Sequence, residues 1–146
     1  MARGAFISLI LGLSWALVAC DKVTYGDVLI ETPTAVDPVC IERAVQDLGL
    51  ADSLRRAPER PGAVELQVRR DLASLSILAT ETPPYTVRMG FAWLGKQAHD
   101  VERASLRLLQ DVHAAVMSAC DIEQPPAKIS TKCETRHCDE WVRPDG

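Results

Sequence analysis

Residues 64–94 read VELQVRRDLASLSILATETPPYTVRMGFAWL, and their alternation decides the fold. Val64, Leu66 and Val68 alternate with Glu65, Gln67 and Arg69, the period of a strand with one buried face. After Arg70-Asp71 the phase shifts, and Leu75, Ile77 and Ala79 alternate with Ser74, Ser76 and Leu78. A one-residue shift would turn every side chain to the other face, so the chain must turn or bulge there. Glu81-Thr82-Pro83-Pro84 ends the second strand, because consecutive prolines cannot continue a ladder. In the third strand Tyr85, Val87, Met89, Phe91 and Trp93 share one face, and Thr86, Arg88, Gly90, Ala92 and Leu94 share the other. Core packing explains the bulky face better than an aromatic ligand platform does. Three strands with short links predict an antiparallel meander.

Helices flank the meander. Asp37 and Pro38 are an N-cap and a first helical residue, Cys40, Ile41, Ala44, Val45 and Leu48 recur at helical spacing, and Gly49 is the stop. Residues 97–120 form a longer helix with Val101, Leu108, Leu109, Val112, Ala115, Val116 and Ala119 as its apolar stripe. Pro125-Pro126 bars its continuation. The expected fold is α+β: a two-layer sandwich with both helices on one face of a three-stranded antiparallel sheet, four-stranded if Asp27–Glu31, within a stretch of strand character at Val23–Ile30, joins as a short edge. The second sheet face is expected to stay open to solvent or a partner.

The amino terminus reads MARGAFISLILGLSWALVAC, with Arg3 its only charge and an apolar run over 5–19. Fifteen residues are short for a membrane span, which needs about 20, and fit an export signal. Leu17-Val18-Ala19-Cys20 resembles the lipobox of bacterial lipoproteins. That resemblance covers these twenty residues alone. It implies a diacylglycerol thioether on Cys20, cleavage between Ala19 and Cys20, and acylation of the new amino group, with palmitate-type chains anchoring the protein. In enterobacterial lipoproteins an Asp after the lipidated Cys is an inner-membrane signal. Asp21 resembles it, but sorting rules differ between bacteria, and the two membranes stay open.

The expected organisation is therefore a signal peptide over 1–19, a lipidated tether over 20–36, the domain over 37–121 and a polar, irregular tail over 122–146. Loss of the leader removes Arg3 and no other charge, taking the net charge from −4 to −5. Without a basic excess, and with 5% aromatic residues, the chain is a poor nucleic-acid binder.

Five cysteines are present, and lipidation of Cys20 leaves four for the oxidising periplasm. Of three possible pairings, Cys40–Cys120 with Cys133–Cys138 is preferred: the first joins two helices, the second closes a short loop. Cys133, His137 and Cys138 have no zinc-site spacing, and no CxxC motif occurs. His99 and His113 stand about 21 Å apart along one helix, too far to share a ligand, and surface positions are expected for the histidines. Arg55, Arg56 and Arg60 cluster in a charged loop, either solvated or facing anionic headgroups. No nucleophile elbow, phosphate loop, HExxH or dinucleotide pattern occurs, and no catalytic residue, cofactor or metal site is expected.

A non-enzymatic lipoprotein of the cell envelope is the expectation, facing the periplasm and binding another envelope protein as an assembly or accessory factor. The alternative is an inhibitor or immunity lipoprotein that blocks a toxic or lytic enzyme.

Overall fold

The computed structural model describes residues 23–57, 61–94, 99–123 and 128–132. The expected signal peptide over 1–19, Cys20, Asp21, Arg60, Cys133, His137 and Cys138 lie outside these residues. In chain order the elements are β1 (Val23–Glu31), α1 (Pro38–Asp47), a 3-10 turn (Ala51–Ser53), β2 (Arg55–Arg56), β3 (Ala63–Arg70), β4 (Ala73–Thr80), β5 (Thr86–Leu94), α2 (His99–Ala119) and β6 (Lys128–Lys132). The strands form one open sheet in the order β2-β3-β4-β5-β1-β6, and every neighbouring pair is antiparallel. Because β2 is a two-residue edge pairing, five strands carry the sheet.

The meander follows its sequence pattern. The turn between β3 and β4 is Asp71-Leu72, with Arg70 paired to Ala73 and Asp71 at φ 53°. Aspartate tolerates that left-handed conformation better than most residues. Beyond β4, the Thr80 hydroxyl accepts from the Thr86 amide at 2.7 Å and donates to the Pro84 carbonyl at 3.0 Å, closing the proline-rich turn.

Two sequence expectations need correction: the sheet has five strands rather than three or four, and the segment expected as a short edge at Asp27–Glu31 is not an edge. Residues 23–31, expected within the tether, are the interior strand β1, with Val23 opposite Leu94 and Glu31 opposite Thr86. The inward residues of β1 are Thr24, Gly26, Val28 and Ile30. Half of them are not hydrophobic, which hides the alternation. In the tail, expected to be irregular, Lys128–Lys132 adds β6 beside β1, from Leu29–Lys128 to Tyr25–Lys132. Backbone hydrogen bonds make such an edge strand, so its composition carries little signal. The folded domain therefore takes in residues on both sides of 37–121.

Helix α1 begins as its sequence requires: the Asp37 carboxylate accepts from the Val39 amide at 2.9 Å, with Pro38 in the first turn. It ends at Leu48, and Gly49 takes φ 73°. Ile41, Ala44 and Val45 of α1 join Leu106, Leu108, Leu109, Val112 and Val116 of α2 in one buried cluster with the inward residues of β1, β3, β4 and β5. Cys40 and Cys120 form a disulfide with Cα atoms 5.3 Å apart across a sequence separation of 80. It ties the first turn of α1 to the residue after the last turn of α2.

The start of α2 sits differently from its apolar stripe. Val101 is half-buried, whereas Glu102 and Ser105 are buried. Ser105 donates to the Val101 carbonyl at 2.9 Å and accepts from the Trp93 indole at 3.4 Å, which links α2 to β5.

Candidate functional site

Alternation along each strand sends one set of side chains to the helices and the other set away from them. The second set comprises Glu65, Gln67 and Arg69 of β3, Ser74, Ser76 and Leu78 of β4, Arg88, Gly90 and Ala92 of β5, and Tyr25, Asp27 and Leu29 of β1. All are exposed or half-buried, and no helix among the described residues covers them.

At the centre of this face is an open depression of about 620 Å³, lined by Tyr25, Asp27, Glu65, Ser76, Leu78 and Arg88, with Gly26, Gly90, Phe91 and Ala92. Gly90 accounts for its depth. A Cβ there would lie 2.9 Å from Asp27 Oδ1 and 2.9 Å from the Gly26 carbonyl oxygen. Real Cβ contacts are not that close, so the position holds hydrogen alone and leaves a gap between the flanking side chains.

Two polar pairs frame the gap. Arg88 Nε donates to Asp27 Oδ1 at 2.7 Å. The Arg88 pKa is raised above its ordinary value, chiefly by that hydrogen bond and next by attraction to the Asp27 charge, with slight burial opposing. On the β3–β4 side, Ser76 Oγ donates to Glu65 Oε1 at 3.0 Å. The surface thus presents a cation, two carboxylates, a tyrosine and a leucine around a shallow floor. That is a surface of mixed polarity, with its polar groups set by cross-strand geometry.

The other sequence-selected residues lie apart from it. Phe91 is buried over Gly26 and Trp93 is half-buried against α2, so the aromatic row packs the core. Arg55 and Arg56 are exposed on the outer sheet edge, where Arg55 Nη1 donates to the Asp52 and Leu54 carbonyls. His99 is exposed at the start of α2. His113 departs from the expected surface position: burial pushes its pKa down, and its Nε2 is buried without a hydrogen-bond partner. Among the described residues no group of three His, Cys, Asp or Glu side chains comes together to hold a metal ion. No helix among them is long and apolar enough to cross a membrane.

A second hollow, of about 720 Å³, lies beside the disulfide, between residues 31–37 and the end of α2. Its charged lining is acidic, from Glu31, Asp37, Asp121 and Glu123.

Sequence reading singled out the bare face as a whole and set Glu65 on the outer side of its strand, but it did not place Asp27 there. The signal was present for Glu65, which alternates with Val64 and Leu66. For Asp27 it was masked by the neighbouring Gly26.

The chain matches no family model, no curated protein and no solved structure.

Proposed function

We propose that this chain is an exported lipoprotein, anchored through lipid on Cys20, that binds another protein of the cell envelope with its uncovered sheet face as an assembly or accessory factor. The observation that carries the binding half is the depression at Gly90, framed by Asp27–Arg88 and Glu65–Ser76 on a face that no described helix covers. Leu17-Val18-Ala19-Cys20 supports the anchoring half. Stable attachment of such a domain takes more than one acyl chain, which a lipobox cysteine would receive on its sulfur and its amino group. The reading involves no reaction.

The anchoring half is tested by mass spectrometry of the amino-terminal peptide and by membrane fractionation of Cys20→Ser. Acyl chains on Cys20 and release of the variant are expected; a bare thiol on a chain still carrying its leader overturns the reading. For the binding half, a photo-reactive side chain is placed at Gln67 or Ala92, both exposed on the bare face, and at Arg107, exposed on α2. Cross-links to a defined envelope protein from the first two sites alone are expected. Equal cross-linking from all three positions, or none, counts against the sheet face. A lytic or toxic enzyme as the captured species would instead make the chain its inhibitor.

A further inference from the structure

Between Cys20 and Val23, the first residue of β1, stand Asp21 and Lys22 alone. Three Cα–Cα steps of about 3.8 Å cap the reach at about 11 Å. Lipid on Cys20 therefore leaves no length for a spacer, and holds the Val23 end of the sheet at the headgroups.

The register shows what else stands at that end. Ser76, Gly90 and Asp27 share one rung across β4, β5 and β1. Strands β4 and β1 are both antiparallel to β5, so they run in the same direction. Val23 precedes Asp27 by four residues, and Leu72 precedes Ser76 by four. Leu72 is thus level with Val23, two strand spacings to the side, or about 10 Å. It sits at the tip of the β3–β4 hairpin and is 60% exposed. A solitary exposed leucine is ordinary. This one projects from the end of the sheet to which the lipid would be tied, within the reach of the same short linker.

We propose that Leu72 is a second membrane contact. The hairpin tip enters the boundary between headgroups and acyl chains beside the lipid on Cys20, with the exposed Arg69 and Asp71 at headgroup depth. An acyl anchor and a protein contact together fix an orientation that lipid alone leaves free. The strands then stand along the membrane normal, and the depression at Gly90 faces sideways, parallel to the bilayer. This inference rests on the lipid reading of Cys20.

The test uses the full-length protein, purified from membranes and reconstituted into phosphatidylethanolamine–phosphatidylglycerol vesicles with brominated acyl chains, which quench tryptophan on contact. Leu72→Trp reports on the hairpin tip. Val39→Trp is the control: Val39 is 56% exposed in the first turn of α1, whose Cys40 lines one hollow with Glu31, and Glu31 ends β1 about 27 Å along the strand from Val23. Both sites are exposed, and circular dichroism of each variant verifies folding. The expected result is strong quenching and a blue shift for Leu72→Trp over the parent emission, and neither for Val39→Trp. If Cys20 carries its acyl chains and Leu72→Trp is quenched no more than Val39→Trp, the second contact is overturned while the anchor stands. If the same preparation has a bare Cys20, the anchor itself falls, and the upright stance with it.

Discussion

Asp27 and Arg88, 61 residues apart in the chain, meet at 2.7 Å on the uncovered face of the sheet. Asp27 is paired across the ladder with Gly90, and Arg88 lies two residues before Gly90, so the ion pair spans a diagonal of the β1–β5 ladder. The Arg88 side chain is 60% exposed. An exposed pair of this kind contributes about 0.2–1 kcal/mol. Its larger effect is to fix a cation and a carboxylate at the rim of a depression. Asp27→Ala and Arg88→Ala should each lower stability by no more than about 1 kcal/mol, with a coupling below about 1 kcal/mol in a double-mutant cycle from urea melts. Both should reduce cross-linking of the partner from Gln67 and Ala92. Unchanged cross-linking in both variants would remove the pair from the binding surface.

Gly26 and Phe91 face each other on the helix side of the same ladder. A Cβ at Gly26 would lie 2.6 Å from Phe91 Cε1 and 3.1 Å from Leu109 Cδ2. Gly26→Ala should cost about 1–3 kcal/mol, the range for overpacking a filled core. Phe91→Leu in the same chain makes room for the added methyl and should recover part of that loss. Chemical denaturation of the two single variants and the double variant measures the coupling.

The Cys40–Cys120 bridge closes a loop across a sequence separation of 80. On the chain-entropy account a loop of this length contributes up to about 4.5 kcal/mol by restricting the unfolded chain. Cys40→Ala/Cys120→Ala should therefore lower the urea midpoint markedly, and the parent should lose a similar amount in reductant. A double variant as stable as the parent would show that the sheet and helices stand without the bridge.

His113 gives the fold a pH dependence. Burial lowers its folded pKa below the ordinary value of about 6.5, so the unfolded chain takes up a proton that the folded chain resists. Its effect on stability is absent above the unfolded value. As pH falls through 6.5 the unfolded state is favoured, and stability drops. Thermal melts between pH 7.5 and pH 5.5 (a window of about one unit to either side of that value) should show this decline in the parent and a shallower one in His113→Gln. Equal slopes would assign the decline to other groups.

Sequence legibility followed how strongly side chains report on burial. The β3–β4–β5 meander was readable because Leu66, Val68, Leu75, Ile77, Val87 and Met89 alternate cleanly and are all buried. Helix α1 was readable because Asp37, Pro38 and Gly49 mark its ends chemically. By contrast, β1 places Thr24 and Gly26 in the interior, where the pattern asks for large apolar residues. The Gly26 vacancy is filled from the neighbouring strand by Phe91, which no local pattern reveals. For β6 the determinants are backbone groups that every residue has. On the bare face, Arg88 and Gly90 were assigned correctly to the outer side of β5. Their relation to Asp27 depends on a strand pairing that alternation within either segment does not specify.

β1 is synthesised before the two strands that hold it, Thr86–Leu94 and Lys128–Lys132. While β3, β4 and β5 can assemble as neighbours in sequence, the slot beside β5 stays vacant until a segment made at least 55 residues earlier returns to it, Glu31 to Thr86 being the shortest such span. A chain emerging amino terminus first thus carries β1 unpaired until Thr86–Leu94 has been made, and until the two dock each offers a raw edge to any passing polypeptide. The interval before β1 docks is the one in which a holdase chaperone has most to protect.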